Sequence, residues 1–378
     1  DLPRLIELRR QLHRHPELSG NERRTAATLI EFLSSLPGSD IWTELGGQGL
    51  AARFHGSIPG RTVLLRAELD ALPIPEKSSQ PWASLHHGIS HACGHDGHMT
   101  ILAGVAQSLA HRPPECGQVV LLFQPAEETG AGARAVAEDP RMQELAPDRL
   151  FALHNLPGYP LGTVLVRPGA FCAGSAGLTV RLTGQTSHAA YPEQGRSPDQ
   201  ALAEIVTGLT ALPIPLENHG HLALVTVGHA RLGQPAFGIT PGEAEIMATL
   251  RSDDDGVLDH LKNSARDLAS RTATRYGLEV TCTWSEEFPV TSNDDAAAHD
   301  IEQAARRLGL ECQSPDESPF RWSEDFGHLL ELGPGAMFGL GSGREHPPLH
   351  AEDFDFPEEI LGPGLAMLTH LARATACP

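Results

Sequence analysis

The sequence predicts an α/β protein with a mainly parallel sheet and a smaller α+β unit inserted into it, and three observations carry that expectation. Its 378 residues exceed what one hydrophobic core usually serves, so two domains are expected. Short continuous apolar runs, Thr62-Val63-Leu64-Leu65 and Val119-Val120-Leu121-Leu122-Phe123, read as strands buried on both faces, with a helical pattern from Met99 to Leu109 between them. From about residue 175 the runs give way to alternation, in Leu178-Thr179-Val180-Arg181-Leu182, from Leu222 to Val227 and from Ala244 to Leu250, as in half-buried antiparallel strands.

The other elements follow in order. Leu5-Ile6-Glu7-Leu8-Arg9-Arg10-Gln11-Leu12 has helical spacing, and a second helix is expected from about Asn21, with Ala26, Leu29, Ile30 and Leu33 on one face. Helices at about 198–211 and 255–273 sit among the alternating strands. After Phe288-Pro289 a helical pattern returns over 295–307, and Ala336-Met337-Phe338-Gly339-Leu340 reads as another buried strand. The expected division is an α/β domain from residues 1–174 and 290–378, with 175–289 inserted.

Composition narrows the function classes. A formal charge of −20 and only 5% aromatic residues argue against binding nucleic acid or an anionic membrane surface. No apolar run approaches the ~18–20 residues of a spanning helix, and no signal-peptide pattern opens the chain. The cysteines, at 93, 116, 172, 282, 312 and 377, show no disulfide-framework spacing, so a reducing cytoplasm is expected.

Chemistry concentrates in His91-Ala92-Cys93-Gly94-His95-Asp96-Gly97-His98, five potential ligands in eight residues, with two glycines that allow tight turning. It follows the strand ending in Glu68-Leu69-Asp70, on the side of an α/β sheet where sites form. Gln124-Pro125-Ala126-Glu127-Glu128 follows the next strand directly. Two adjacent carboxylates there are costly to bury unless a cation holds one, which points to one Glu on metal and its neighbour on water. Leu153-His154-Asn155 and Leu349-His350-Ala351-Glu352-Asp353-Phe354 add two histidines. Cys, His and carboxylate together suit Zn²⁺, Mn²⁺ or Co²⁺, and five such groups exceed the needs of one tetrahedral ion, so two divalent ions are expected.

With these residues in place the chain resembles the aminoacylase/carboxypeptidase G family of di-metal peptidases, in its amidohydrolase branch with hippurate and auxin-conjugate hydrolases. The likeness runs from Arg10-Gln11-Leu12-His13-Arg14-His15-Pro16-Glu17 through Arg66-Ala67-Glu68-Leu69-Asp70-Ala71-Leu72-Pro73 and Ser323-Glu324-Asp325-Phe326 to the Leu349–Phe356 region. It implies Cys93, His95, Glu128, His154 and His350 as metal ligands, Glu127 as general base and Asp70 as a carboxylate orienting a ligand. It also implies a lid and dimerisation role for 175–289, within which Ser187-His188-Ala189-Ala190 carries a His that reaches the partner subunit's site, and Arg251 meets the substrate carboxylate. A homodimer is the expected assembly.

Three departures from the family pattern stand out. Glu68 replaces an Asp, Tyr191-Pro192-Glu193 replaces a Pro-His continuation, and Gly238 in Phe237-Gly238-Ile239-Thr240-Pro241 replaces an Asn. The last two bear on substrate identity. The expected reaction is hydrolysis of the amide bond of an N-acyl amino acid or related small conjugate by a water shared between the ions. Its rivals are a dipeptidase or carboxypeptidase on the same site, an inactive metal-binding protein, and a hydrolase with Cys93 as nucleophile.

Overall fold

The apolar runs become the centre of an eight-stranded sheet. In the computed structural model, which describes residues 2–213, 220–317 and 319–377, helices α1 (Leu2–Arg14) and α2 (Arg23–Ser34) lead into strands β1 (Ser39–Leu45), β2 (Gly49–His55) and β3 (Ile58–Glu68). Helix α3 (His95–His111), β4 (Cys116–Gln124), α4 (Gly132–Ala137) and β5 (Arg149–Pro157) follow. The sheet order is β1-β2-β4-β3-β5, then the strands Gly335–Gly343, Val164–Leu165 and Cys312–Gln313. β4, β3, β5 and Gly335–Gly343 are mutually parallel, while β1 and β2 extend one edge antiparallel. This is the mainly parallel sheet that the sequence predicted.

Its strands are apolar because helices cover them. Val63, Leu65, Leu121, Phe123, Phe151 and Phe338 are fully buried in one cluster with Leu29 and Leu33 of α2 and Ile101, Val105 and Leu109 of α3. That burial, at about 25 cal/mol per Å² of apolar surface, supplies most of the drive to form the layer. Helix α3 starts at His95, four residues before the apolar pattern that predicts it, because His95, Asp96 and His98 are themselves buried.

This unit comprises residues 1–171, 291–318 and 324–378; residues 172–290 and 319–323 form a second. The second holds an antiparallel sheet in the order Ala223–Leu232, Glu243–Ser252, Gly174–Thr183, Glu279–Phe288. Helices Asp199–Ala211 and Asp255–Arg275 pack on it through Ile205, Leu209, Leu258 and Leu261 against Leu178, Val180, Ile246 and Leu250. The alternation seen in sequence is this one-sided burial.

One expectation is corrected. Cys116 at the start of β4 and Cys377, just past the helix Leu361–Ala376, form a disulfide across a sequence separation of 261. Spacing rules look for clustered cysteines and cannot see a pair that only the fold brings together. Among the described residues no helix is long and apolar enough to cross a membrane.

Candidate metal centre

Parallel strands deliver their carboxyl ends to one edge, and three of the candidate segments leave from it. β3 runs into Leu69-Asp70, β4 into the loop with Glu127 and Glu128, and β5 carries His154 near its end; Glu68 pairs with Gln124 in register and His154 with Gly339. The 91–98 segment enters through Gly94, which has φ 89° and caps α3. A Cβ there would stand 2.3 Å from Asn155 Oδ1, so only glycine fits. His350, itself at φ 65°, is tied in by its backbone N–H, which donates to the Ala92 carbonyl at 2.8 Å.

The five residues expected on metal converge. Donor atoms of Cys93, His95 and His154 lie within 4.8 Å of one another, as do those of Cys93, Glu128 and His350, and those of His95, Glu127 and Glu128. Cys93 belongs to two of these sets. Partners behind the rings set which nitrogen faces the cluster. His95 donates from Nδ1 to the Asp70 carbonyl at 2.9 Å, leaving a buried Nε2 with no hydrogen-bond partner. His154 donates from Nδ1 to the Asn155 carbonyl at 2.8 Å, and its Nε2 lies 3.4 Å from Cys93 Sγ. Glu128 Oε1 and Asp70 Oδ1 are buried without hydrogen bonds as well. Imidazole nitrogen, sulfur and carboxylate oxygen brought together are a donor set that fits divalent ions, and the contacts behind His95 and His154 orient those rings.

The local charges agree. Burial raises the Glu127 carboxyl well above the usual range, and Glu324, Glu128 and Asp325 add to it. Burial carries Glu128 up to about 7, partly offset by His95. The Cys93 thiol is pushed up by burial and then by Glu128 and Glu127. Burial and His98 take His154 down to about 3. For His95 burial acts downward, but Asp70, Glu68 and Glu128 outweigh it and carry the ring to about 10. A divalent cation is what offsets such a crowd of acids and turns a thiol into a thiolate.

The other three candidates of the 91–98 segment differ, although His98 keeps a donor atom within 4.8 Å of those of His95 and Glu68. His98 Nδ1 lies 2.7 Å from Glu68 Oε2, and its Nε2 lies 2.6 Å from Asn155 Oδ1. Asp96 accepts from His13 at 2.9 Å and from Arg9 at 3.3 Å. His91 is buried with neither nitrogen hydrogen-bonded.

Sequence reasoning did not assign the layer beneath. Buried Arg66 donates to Glu68, to Gln124 Oε1 at 2.8 Å, to Glu324 at 2.7 Å and to Asp325 at 2.6 Å. Glu127, Glu324 and Asp325 have carboxylate oxygens within 4.8 Å of one another. The signal for this layer was an Arg inside an otherwise apolar buried strand, which needs acids around it.

His188 and Arg251 belong to the second unit. His188 lies exposed on the short strand Ser187–His188, paired with Ile239, and the Ala189 N–H donates to the Gly238 carbonyl at 3.0 Å. Half-buried Arg251 donates to the Arg321 carbonyl at 3.0 Å and to Ser323 Oγ at 2.8 Å.

Comparison with known proteins gives a consistent set. The model of peptidase family M20/M25/M40 matches residues 64–374. The chain is 32% identical to an N-acetyldiaminopimelate deacetylase of Lacticaseibacillus paracasei, over 97% of this chain and 96% of that one. It is 34% identical to an N-acetyl-L-cysteine deacetylase of Bacillus subtilis, over 90% and 81%. A crystal structure of a Bacillus subtilis dinuclear metal-binding peptidase of the M20 family superposes with a TM-score of 0.83 and 29% identity, over 99% and 98%.

Proposed function

The chain belongs to peptidase family M20/M25/M40, and from that premise we propose that it is a two-metal amidohydrolase removing acyl groups from N-acyl amino acids or related small conjugates. The observation that carries this reading is the Glu127-Glu128 pair, the first buried and the second largely so, with His95 Nε2 at 3.8 Å from each carboxylate. The deacetylase names of the relatives support acetyl as the first acyl group to test.

Cys93, His95, Glu128, His154 and His350 would hold two Zn²⁺, Mn²⁺ or Co²⁺ ions. Bound there, the ions supply an acidified water and a Lewis acid for the amide carbonyl. The raised proton affinity of the buried Glu127 carboxylate suits a group that takes the water's proton and returns it to the departing amine. Asp70 steadies the site twice, through its carbonyl on His95 Nδ1 and its Oδ2 on the Glu128 N–H at 3.0 Å.

The second unit is read as a lid and dimerisation domain. Ala223–Leu232 is an edge strand, and Leu232, Phe237, Ile239 and Met247 are exposed large apolar residues on this unit. A second copy covering them in a homodimer answers the edge-strand problem. His188 would then serve the partner's site as a donor to the developing oxyanion, and Arg251 would hold the amino-acid carboxylate. A cytoplasmic setting remains the proposal from composition.

The test is turnover by metal-free protein reloaded with Mn²⁺, Zn²⁺ or Co²⁺ on N-acetyl and N-benzoyl amino acids and on dipeptides. Metal-dependent release of acetate supports the proposal. Activity confined to dipeptides moves the reading to a peptidase, and full activity under chelators overturns the metal mechanism.

A further inference from the structure

Carboxylates from distant segments pin the loop that carries Glu127. Asp325 accepts Gln124 Nε2 at 2.9 and 2.8 Å and the Ala133 N–H at 2.9 Å, so one side chain holds both ends of the loop. Asp70 holds the Glu128 N–H, as described above. Within the loop the Ala126 carbonyl accepts the Gly132 N–H at 3.1 Å and the Thr129 hydroxyl at 3.2 Å, and from the N-terminal segment Glu22 Oε1 accepts the Ala126 N–H at 2.8 Å.

Glu22 is placed for little else. It is completely buried, its Oε1 also accepts the Gly20 N–H at 2.9 Å, and its Oε2 has no hydrogen-bond partner. Ala126, immediately before Glu127, sits at φ 51°, a left-handed conformation that a residue with a Cβ avoids. Such a conformation persists only when its surroundings over-determine it, and it sets the direction in which the next side chain leaves the backbone.

We infer that Glu22 is a positioning residue for the reaction: its Oε1 locks the Ala126 peptide and thereby aims the Glu127 carboxylate. This rests on Glu127 as the general base. Without the lock the peptide relaxes towards ordinary φ and swings the Glu127 side chain. A displacement of ~1 Å at a reacting group typically costs on the order of 10²-fold in rate.

Four variants of the full metal-loaded enzyme test this on an N-acetyl amino acid: Glu22→Ala, Glu22→Asp, Glu22→Gln and Glu127→Gln. Ala removes the acceptor, and Asp keeps the charge beside α2 but withdraws the oxygen by one methylene. Gln keeps the acceptor at full reach. The expected result is kcat lower by roughly 10–100-fold in Glu22→Ala and Glu22→Asp, with KM and metal content close to the parent's. Glu22→Gln should stay within about threefold of the parent. Amide exchange across 124–133 in metal-free protein should quicken in Glu22→Ala and Glu22→Asp only. If Glu22→Ala misfolds, Glu22→Asp against Glu22→Gln carries the comparison. Parent-like kcat in folded Glu22→Ala or Glu22→Asp beside a dead Glu127→Gln overturns the positioning role alone. So does a Glu22→Gln enzyme as slow as Glu22→Asp. An active Glu127→Gln enzyme overturns the base assignment and this inference with it.

Discussion

Asp70 Oδ2 accepts the Glu128 backbone N–H at 3.0 Å and the Ser19 hydroxyl at 2.7 Å, while the Asp70 carbonyl accepts His95 Nδ1. One residue therefore braces two expected ligands from different segments. Asp70→Ala should weaken metal binding by about 10–100-fold, as loss of such outer contacts does elsewhere. Titration of metal-free protein with Zn²⁺ checks this, and parent-like affinity would deny the Asp70 side chain, though not its carbonyl, that role.

The adjacent glutamates should separate by function. Glu127→Gln is expected to lower kcat by roughly 10²–10⁴ while metal content stays near normal, because a base is lost but not a ligand. Glu128→Ala should lose metal as well as activity. Elemental analysis of both proteins decides, and the reverse pattern would show the pair assigned backwards.

His188→Ala should reduce turnover strongly with metal content and dimerisation intact. If each His188 serves the partner's site, mixing inactive His188→Ala and Glu127→Gln subunits creates one hybrid site with both residues intact. Part of the activity should return. No recovery after verified subunit exchange would place His188 outside the partner's chemistry.

His13 gives a pH signature away from the ligands themselves. Burial alone would lower its affinity for a proton, yet Asp96 and Glu76 carry it from 6.5 up to about 10. A His raised on folding contributes stability in full below its unfolded value, and loses it as pH rises through the folded one. Melting temperature should therefore decline between about pH 6.5 and 10, and His13→Gln should flatten that limb. An unchanged slope in the variant would remove His13 as its source.

Thiol counting checks the bridge. Denatured, unreduced protein should show four reactive cysteines, Cys93, Cys172, Cys282 and Cys312, and reductant should expose two more. Reduction should lower stability by about 2–4 kcal/mol, the typical value for such a link.

The sequence made the sheet legible because strands buried on both faces leave continuous apolar runs. The ligand segment was legible as a cluster and, through family likeness, as an assignment. Composition could not tell His95 from His98, or Cys93 from Asp96. What separates them is the partner behind each: a carbonyl leaves His95 Nε2 bare, whereas His98 and Asp96 are consumed by Glu68, Asn155, Arg9 and His13. The start of α3 was misplaced for the same reason, since buried polar residues interrupt the apolar period. Glu22 left no trace as a buried anchor, because a Glu ahead of a helix reads as an ordinary surface residue.

The Cys116–Cys377 bridge also changes the topology of the molecule. It closes a covalent ring containing the chain from 117 to 376, the whole second unit included. A protease that cuts once anywhere in that ring opens it but releases nothing. The nicked protein would migrate as one species until reductant is added, and two cuts would be needed to free a fragment.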